Sequence, residues 1–379
     1  MRIIAFYLPQ FHDIPENDEW WGKGFTEWTN VKKAKALYNN HNQPRIPLNR
    51  NYYNLLDDDI KIWQAKIAKE YGIYGFCYYH YWFSGKMLLE KPMEQMLKNN
   101  KVDIPFCICW ANDSWTKAWV GEKKTLIKQE YGDKNEWKDH FYYLLQFFND
   151  PRYIKNNNKL LFVIYKPENI PCLSEMLNYW QELSLDNGFA GIEFAYQTNG
   201  YNNLPQKDRN ESIFTYDIEF EPGLTKEKLY ANKKYILRQM KHVITEFTQK
   251  YLGSNYFKYL GSGIKGGNGI SSYDDIWEEM IAHKPRSEKT IAGAFVDWDN
   301  TPRLGKNGTV VQGASPEKFK YYFSEQIRRV KNGTYNNDYI FIFAWNEWAE
   351  SGYLEPDEKY GYGYLQAVRD SLRENGEFV

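Results

Sequence analysis

The sequence predicts an α/β fold, a (β/α)8 TIM barrel built as a single domain with elaborated βα loops. Two observations lead there. Eight short runs rich in Ile, Val, Phe and Tyr are spaced along 379 residues, and longer segments with apolar residues at helical spacing lie between them. Alternation of strand and helix brings parallel strands together under covering helices. Eight such units favour a closed barrel over an open sheet, and the length suits a barrel with insertions. A third observation agrees: the runs are almost continuously apolar, as strands covered on both faces are.

The elements follow in order. Arg2–Pro9 is the first strand, and Asp57–Tyr71 reads as a helix because Ile60, Trp63, Ile67 and Ala68 fall on one face. Gly72–His80 is the second strand, with helix near Glu90–Asn99. Pro105–Asp113 is the third, with helix at Lys134–Asn149; Leu160–Pro167 is the fourth, with helix from about Pro171 to Asn187. Ala190–Gln197 and Ser212–Phe220 are strands five and six, followed by a Lys-rich helix at Thr225–Lys250 and a loop region from Gly253 to Ser272. Thr290–Asn300 is strand seven, Pro316–Lys331 a helix, Asp338–Trp348 strand eight and Lys359–Glu374 the last helix. No Pro- or Ser-rich linker divides the chain, so residues 1–379 read as one domain.

Composition excludes several functions. Lys plus Arg number 48 against 49 Asp plus Glu, a net charge of −1, whereas nucleic-acid binders carry a basic excess. No apolar stretch approaches the ~20 residues of a membrane-spanning helix, and the run before Pro9 is too short for a signal peptide, so a cytoplasmic protein is expected. Cys77, Cys107, Cys109 and Cys172 show no CxxC spacing and read as buried free thiols. Aromatic residues reach 18%, with 14 Trp, more than packing requires; flat rings suit the C–H faces of sugars.

Barrel enzymes place their chemistry at the C-terminal strand ends. Here those ends carry Tyr7, Gln10 and His12; His80, Tyr81 and Trp82; Trp110, Asn112 and Asp113; Tyr165 and Lys166; Tyr196, Gln197 and Asn199; Asp297, Trp298 and Asp299; and Trp345, Asn346, Glu347, Trp348 and Glu350. Ten of the 14 Trp (20, 21, 28, 82, 110, 115, 119, 298, 345 and 348) lie in these ends and loops, which suggests an aromatic-walled cleft. The sharpest feature is Glu347 and Glu350 in WNEWAES. They can face one way only if the chain turns tightly after Glu347. Two close carboxyls, one ionised and one protonated, are the apparatus of glycosidic-bond chemistry, and mutual repulsion with flanking Trp should push their pKa values apart.

Other motifs carry less. Asp297-Trp298-Asp299 has the D-x-D form that holds a divalent metal and a nucleotide sugar in some glycosyltransferases. The Gly-rich Gly263–Gly269 lacks the GK[ST] of a P-loop and reads as a loop. The six His have no metal-ligand spacing; His12 and His80 are near the expected pocket, while His41, His140, His242 and His283 read as incidental. No cofactor is expected, a divalent metal with nucleotide sugar being the runner-up.

Four long segments, FYLPQFHDIPENDEWWGKGFTEWTNV, YGFCYYHYWFSGKMLLEKP, CWANDSWTKAW and FAWNEWAESGYLEPDEKYGYGYL, resemble the WbsX-type glycosyltransferase family, a group similar to glycoside hydrolase family 99, the endo-α-mannosidases. The resemblance implies a (β/α)8 barrel, an oligosaccharide or polysaccharide substrate, and a role in bacterial O-antigen, capsule or lipopolysaccharide biosynthesis. Asn346, Glu347, Trp348 and Glu350 match the hydrolases' N-E-W-x-E-G segment; Ala349 fills the variable position, usually His there, and Ser351 replaces the Gly. By that match Glu350 is the general acid/base. Glu347 is the base assisting the sugar's own 2-hydroxyl through a 1,2-anhydro intermediate, with net retention. A looser match makes Tyr7, His12, Trp28, His80, Trp110, Asn112, Gln129, Glu130 and Tyr165 sugar contacts, alongside Asp297, Trp298, Trp345, Asn346 and Trp348. Transfer and hydrolysis both remain open, as does a non-catalytic glycan-binding barrel.

Overall fold

The structure, a computed structural model, describes residues 1–116, 125–198, 211–231 and 269–378. Trp119, Asn199, His242, most of the expected Thr225–Lys250 helix and nearly all of Gly263–Gly269 lie outside the described residues.

Eight strands form the barrel: β1 (Arg2–Tyr7), β2 (Gly75–Phe83), β3 (Phe106–Trp110), β4 (Lys159–Ile164), β5 (Ile192–Thr198), β6 (Tyr216–Glu219), β7 (Thr290–Phe295) and β8 (Tyr339–Phe343). Each pairs in parallel with the next, and β1 pairs with both β2 and β8, so the sheet closes. At the closing seam Ile4 is opposite Phe341 on one side and Gly75 on the other.

Strand periodicity sorts the side chains. Phe6, Tyr79 and Phe341 meet inside the barrel, with ring centroids 5.6 Å (Phe6–Tyr79) and 5.4 Å (Phe6–Phe341) apart. The Gln197 amide joins them, donating to the Tyr79 hydroxyl at 3.1 Å and approaching Cys109 Sγ at 3.7 Å. Alternate residues point outward under the helices: Tyr7 donates to Gln64 Oε1 at 2.7 Å, and Phe162 packs on Trp180 at 5.3 Å. Gly293 on β7 is required by close approach, since a Cβ there would lie 1.9 Å from the Glu219 carbonyl oxygen.

The helices, in chain order, are α1 (Pro15–Trp21), α2 (Glu27–Lys33), α3 (Asp58–Glu70), α4 (Lys91–Lys98), α5 (Lys134–Phe148), α6 (Leu173–Asp186), α7 (Gly223–Ala231), α8 (Tyr273–Ala282), α9 (Thr301–Leu304), α10 (Pro316–Lys331) and α11 (Gly363–Glu374). Short polar caps start several of them: Asp57 on α3, Asp133 on α5, Ser272 on α8 and Ser315 on α10 each accept a first-turn N–H, a contribution of about 1 kcal/mol each. Strands seven and eight stop earlier than the sequence suggests, at Phe295 and Phe343, because the polar residues that follow bond to loops instead of to the ladder. β2 runs longer, to Phe83, because its end leaves the barrel and pairs antiparallel with Lys86–Leu88. Cys77, Cys107 and Cys109 are buried free thiols as expected, whereas Cys172 is only half-buried at the start of α6. Among the described residues, no helix is long and apolar enough to cross a membrane.

Candidate active site

After β8 the chain forms a two-residue strand, Asn346–Glu347, one short helical turn, Trp348–Glu350, and a return strand, Gly352–Tyr353, paired antiparallel with the first. This hairpin is the tight turn that two carboxylates three residues apart require. Its pivot is Ser351, at φ 60° and ψ 10°, a left-handed conformation in which glycine has no steric cost. The serine is held there by its hydroxyl, which donates to the Asp299 carbonyl at 3.3 Å and accepts from Gln43 Nε2 at 3.1 Å.

The turn aims Glu347 and Glu350 at one guanidinium. Arg303, on α9 after β7, donates from Nη2 to Glu347 Oε1 at 2.9 Å and from Nη1 to Glu350 Oε1 at 2.7 Å. Its Nε donates to Glu27 Oε2 at 3.2 Å. Three carboxyls from the two ends of the chain therefore share one buried cation. α9 is fixed by the Asp299 amide, which donates to the Glu350 carbonyl at 2.8 Å, and by Asp299 Oδ1, which accepts from the amide and hydroxyl of Thr301.

Burial raises the Glu347 pKa well above its usual value against the pull of Arg303, with Glu350 and Glu27 adding repulsion. Glu350 is raised for the same first reason, with Arg303 and Lys226 opposing. The upward push is the stronger on Glu347, the more deeply buried of the two. Lys226 on α7 donates to Thr309 Oγ1 at 3.1 Å and lies 5.4 Å from the centroid of the Trp298 ring. Burial lowers its pKa to about 8, with Glu350 pulling the other way. Tyr81, at the end of β2, accepts from Gln10 Nε2 at 2.7 Å and is close enough to Glu347 and Arg303 to feel both charges.

The other sequence-derived candidates divide. Tyr165 is half-buried at the end of β4, electrostatically coupled to Tyr79. Trp298 is half-buried, its indole donating to Thr309 Oγ1 at 2.9 Å. Glu130 is 60% exposed and pairs with Lys128. Gln129 is buried beside it and donates to the Glu130 carbonyl. His12 is fully buried with neither ring nitrogen in a well-formed hydrogen bond; burial lowers its pKa to about 4, the Pro9 backbone opposing.

Several candidates are built into the frame instead of the mouth, and strand alternation is the reason. His80 points outward and meets His140 Nε2 at 2.9 Å; Trp110 packs on the same His140 at 4.9 Å, beneath α5. Tyr7 faces α3. Asn112 bridges to β4, accepting from Lys166 N at 2.8 Å and donating to its carbonyl at 2.7 Å. Asn346 does the same across the closing seam, accepting from Leu8 N at 2.8 Å and donating to the Leu8 carbonyl at 3.0 Å. Trp345 is fully buried against Phe76 at 5.0 Å. Trp28 donates to the Tyr53 carbonyl and packs 5.5 Å from Trp348, which in turn stacks on Tyr353 at 3.7 Å. The expected wall of Trp is thus thinner than the count suggested: residues 28, 82, 110, 345 and 348 are each at most 5% exposed, whereas Trp20, Trp21, Trp115 and Trp298 keep exposed surface.

The D-x-D carboxylates are both engaged. Asp297 accepts from Arg45 Nη2 at 2.6 Å. Asp299 bonds His41 Nε2 at 2.7 Å and Gln43 Nε2 at 2.8 Å, and these bonds outweigh burial, leaving its pKa below the usual value. His41 is therefore the partner that holds Asp299. Among the described residues, no group of three or more His, Cys, Asp or Glu is arranged to hold a metal ion.

A family model described as Glycosyltransferase WbsX matches residues 3–368. The chain belongs to the WbsX glycosyltransferase family. It is 31% identical over 371 residues to an uncharacterized protein WxcX of Xanthomonas campestris pv. campestris strain B100, and 32% identical over 375 residues to the WxcX of strain ATCC 33913. Each alignment covers 98% of this chain but 49% of the relative, so the chain spans about half the length of the relatives it matches. Among solved structures, two of the GH99 endo-alpha-mannosidase from Bacteroides thetaiotaomicron superpose with TM-scores of 0.55 and 0.56, at 14% and 12% identity. They cover 98% of this WbsX-family chain and 96% and 97% of the other chains, a likeness of fold.

Arg303 and Glu27 were not legible as site residues. Arg303 lies in a run with no motif, 44 residues before Glu347, and Glu27 sits inside GFTEWTN, where the Trp draws attention. The one available signal was chemical: two acidic residues buried close together need a cation, and the loop after β7 supplies an Arg.

Proposed function

We propose that this protein makes or breaks an α-glycosidic linkage by a retaining mechanism run by Glu347 and Glu350, in the assembly of a bacterial surface polysaccharide. The observation that carries the reading is the convergence of both carboxyls on Arg303, with Glu27 as a third. Three carboxyls face Arg303 and the weakened cation Lys226. With all three ionised the cluster is net negative in a desolvated place, so keeping one proton is the cheaper state. One protonated and one ionised carboxyl is the condition glycosidic chemistry requires.

Roles follow from accessibility and from the motif match, although burial before a substrate enters favours the proton on the deeper Glu347. Glu350, whose side chain is 13% exposed against 4% for Glu347, is the better placed to reach a leaving oxygen. In the first step Glu350 gives its proton to that oxygen as the C1–O bond breaks. Glu347 accepts the 2-hydroxyl proton as O2 closes on C1, forming the 1,2-anhydro sugar. In the second step Glu350 takes a proton from the incoming hydroxyl or water, which opens the ring at C1, and Glu347 returns its proton to O2. Whether the acceptor is a sugar or water decides transfer or hydrolysis. Arg303 holds both carboxyls in register throughout.

The endo-alpha-mannosidase fold and the family description support a glycan substrate. Asp297 is engaged by Arg45 and Asp299 by His41, so the D-x-D pair is not what carries this reading. The test is incubation with polysaccharide intermediates, with and without sugar nucleotides, reading product masses. Glu350→Gln should abolish turnover and retain glycan binding. Unchanged activity in Glu350→Gln would remove the proposal.

A further inference from the structure

A cavity of about 520 Å³ opens on the same face of the barrel as the carboxylates but is lined by different groups. Its walls come from the β1–α3 connection, from Trp63 on α3, and from Pro356 and Tyr362 beyond the catalytic hairpin. Trp348 and Glu355 also line it. Trp348 belongs to the turn carrying Glu350, and it donates to Glu355 Oε2 at 2.6 Å. The Tyr53 hydroxyl and Gln64 amide also bond Glu355, at 2.8 and 2.7 Å, so this part of the lining is rigid.

Tyr52, Trp63 and Tyr362 are half-buried rings around the space, and Lys32 Nζ lies 4.3 Å from the Tyr52 centroid, which restrains that ring. Between them stand the polar groups of Asn49, Arg50 and Asn51. Asn49 and Arg50 both have positive φ, 56° and 54°. Consecutive left-handed residues without glycine are strained, by about 1–3 kcal/mol each. At the cavity's edge stands Arg50, its side chain 78% exposed and 3.9 Å from Glu358. Aromatic faces interleaved with amide and guanidinium donors, in a volume inside the roughly 300–1,000 Å³ of small-molecule sites, match a pyranose, which offers an apolar C–H face and a rim of hydroxyls.

We propose that this hollow is an accessory carbohydrate subsite that holds one pyranose unit of the glycan apart from the unit at Glu347 and Glu350. It rests on the reading of the substrate as a glycan and extends it: the enzyme grips its chain at two places, one catalytic and one not.

The test is 19F NMR of the protein labelled with 5-fluorotryptophan, the Trp63 resonance being assigned with Trp63→Phe. The probes are methyl α-pyranosides of glucose, galactose, mannose, rhamnose and N-acetylglucosamine, titrated singly. At least one should move the Trp63 resonance along a saturating curve. Arg50→Gly should raise thermal stability by releasing the left-handed strain, yet weaken binding about tenfold, the loss of a hydrogen bond from a charged donor. Glu350→Gln should leave the Trp63 titration unchanged. If no pyranoside moves the Trp63 resonance, or if Arg50→Gly leaves the curve as it was, the subsite is refuted. A good Trp63 titration in a protein that turns over no glycan would sink the catalytic reading alone; turnover without any Trp63 response would sink only the subsite.

Discussion

Replacing Arg303 by Gln removes the charge on which Glu347, Glu350 and Glu27 converge while keeping a side chain of similar reach. With donor–acceptor distances of 2.7 and 2.9 Å, the charge centres are about 4 Å apart. At an effective dielectric of 20 such a pair is worth about 4 kcal/mol. After relaxation, losing an opposite charge at this range raises a carboxyl by about 1–3 pH units. Carbonyl 13C shifts of labelled glutamate, followed against pH, read this without any substrate. In the wild type, Glu347 and Glu350 should titrate above the ordinary carboxylate range, as Glu355 and Glu221 also do. In Arg303→Gln both midpoints should move up by about 1–3 pH units; in Glu27→Gln they should move down, a like charge having been removed. Stability should follow. The folded variant keeps protons that the unfolded chain has released, so its stability falls as pH rises through the raised pKa values. The cost of Arg303→Gln is therefore near the ~3–5 kcal/mol of a broken buried pair at pH 8, and smaller at pH 5. Midpoints that stay in place, or shift downward, in Arg303→Gln would refute the account of the cluster.

Glu355 offers a second titration: burial raises its pKa to about 7, with bonds from Trp348, Gln64 and Tyr53 opposing, so wild-type stability should drop by about 3 kcal/mol between pH 4.5 and 7 on its account. Urea denaturation of Glu355→Gln should lack that component, and parallel pH curves would count against it. Ser351→Gly trades about 1 kcal/mol of left-handed strain for the hydroxyl's bonds and should change stability by less than about 1 kcal/mol; Ser351→Ala, with the strain kept and the bonds lost, should be the less stable of the two by thermal denaturation. Gly293→Ala drives a methyl into the Glu219 carbonyl and should cost about 3 kcal/mol or more, seen as a large drop in Tm.

The barrel could be read from the chain because period and composition report burial directly. Each of the eight apolar runs overlaps a barrel strand, and the helix expected at Pro316–Lys331 has those bounds. Ends were harder. Residues 297–300 continue an apolar-looking strand in sequence, yet Asp297 and Asp299 leave the ladder for Arg45 and His41, partners more than 250 residues away. The sequence places Trp277 in a helical segment but sets no bounds for α8, because its Tyr273, Ile276, Trp277 and Met280 stripe is broken by Asp and Glu and follows a loop region. In the site, the carboxylate pair was visible from its place after IFIFA. Its counter-ion was not, since Arg303 reaches it only through a tertiary turn. The aromatic wall was overestimated for a reason already in the sequence: period two sends His80, Trp82 and Trp110 to the face opposite Tyr79, Tyr81 and Cys109.

The Asn346 side chain has a kinetic implication. Its amide clasps the backbone of Leu8, nearly the full chain away, one residue before Glu347, and Glu27 reaches the same cluster from the opposite end. The cluster cannot gain Glu27, nor Asn346 its Leu8 partner, while the ring of strands stands open. Contacts of such long sequence separation form slowly, because the loop entropy precedes the reward. The complete carboxylate cluster should therefore appear in refolding with the last, slowest phase, behind helix formation. A permuted chain with its termini moved to another βα unit would shorten that wait by joining β1 and β8 from the start.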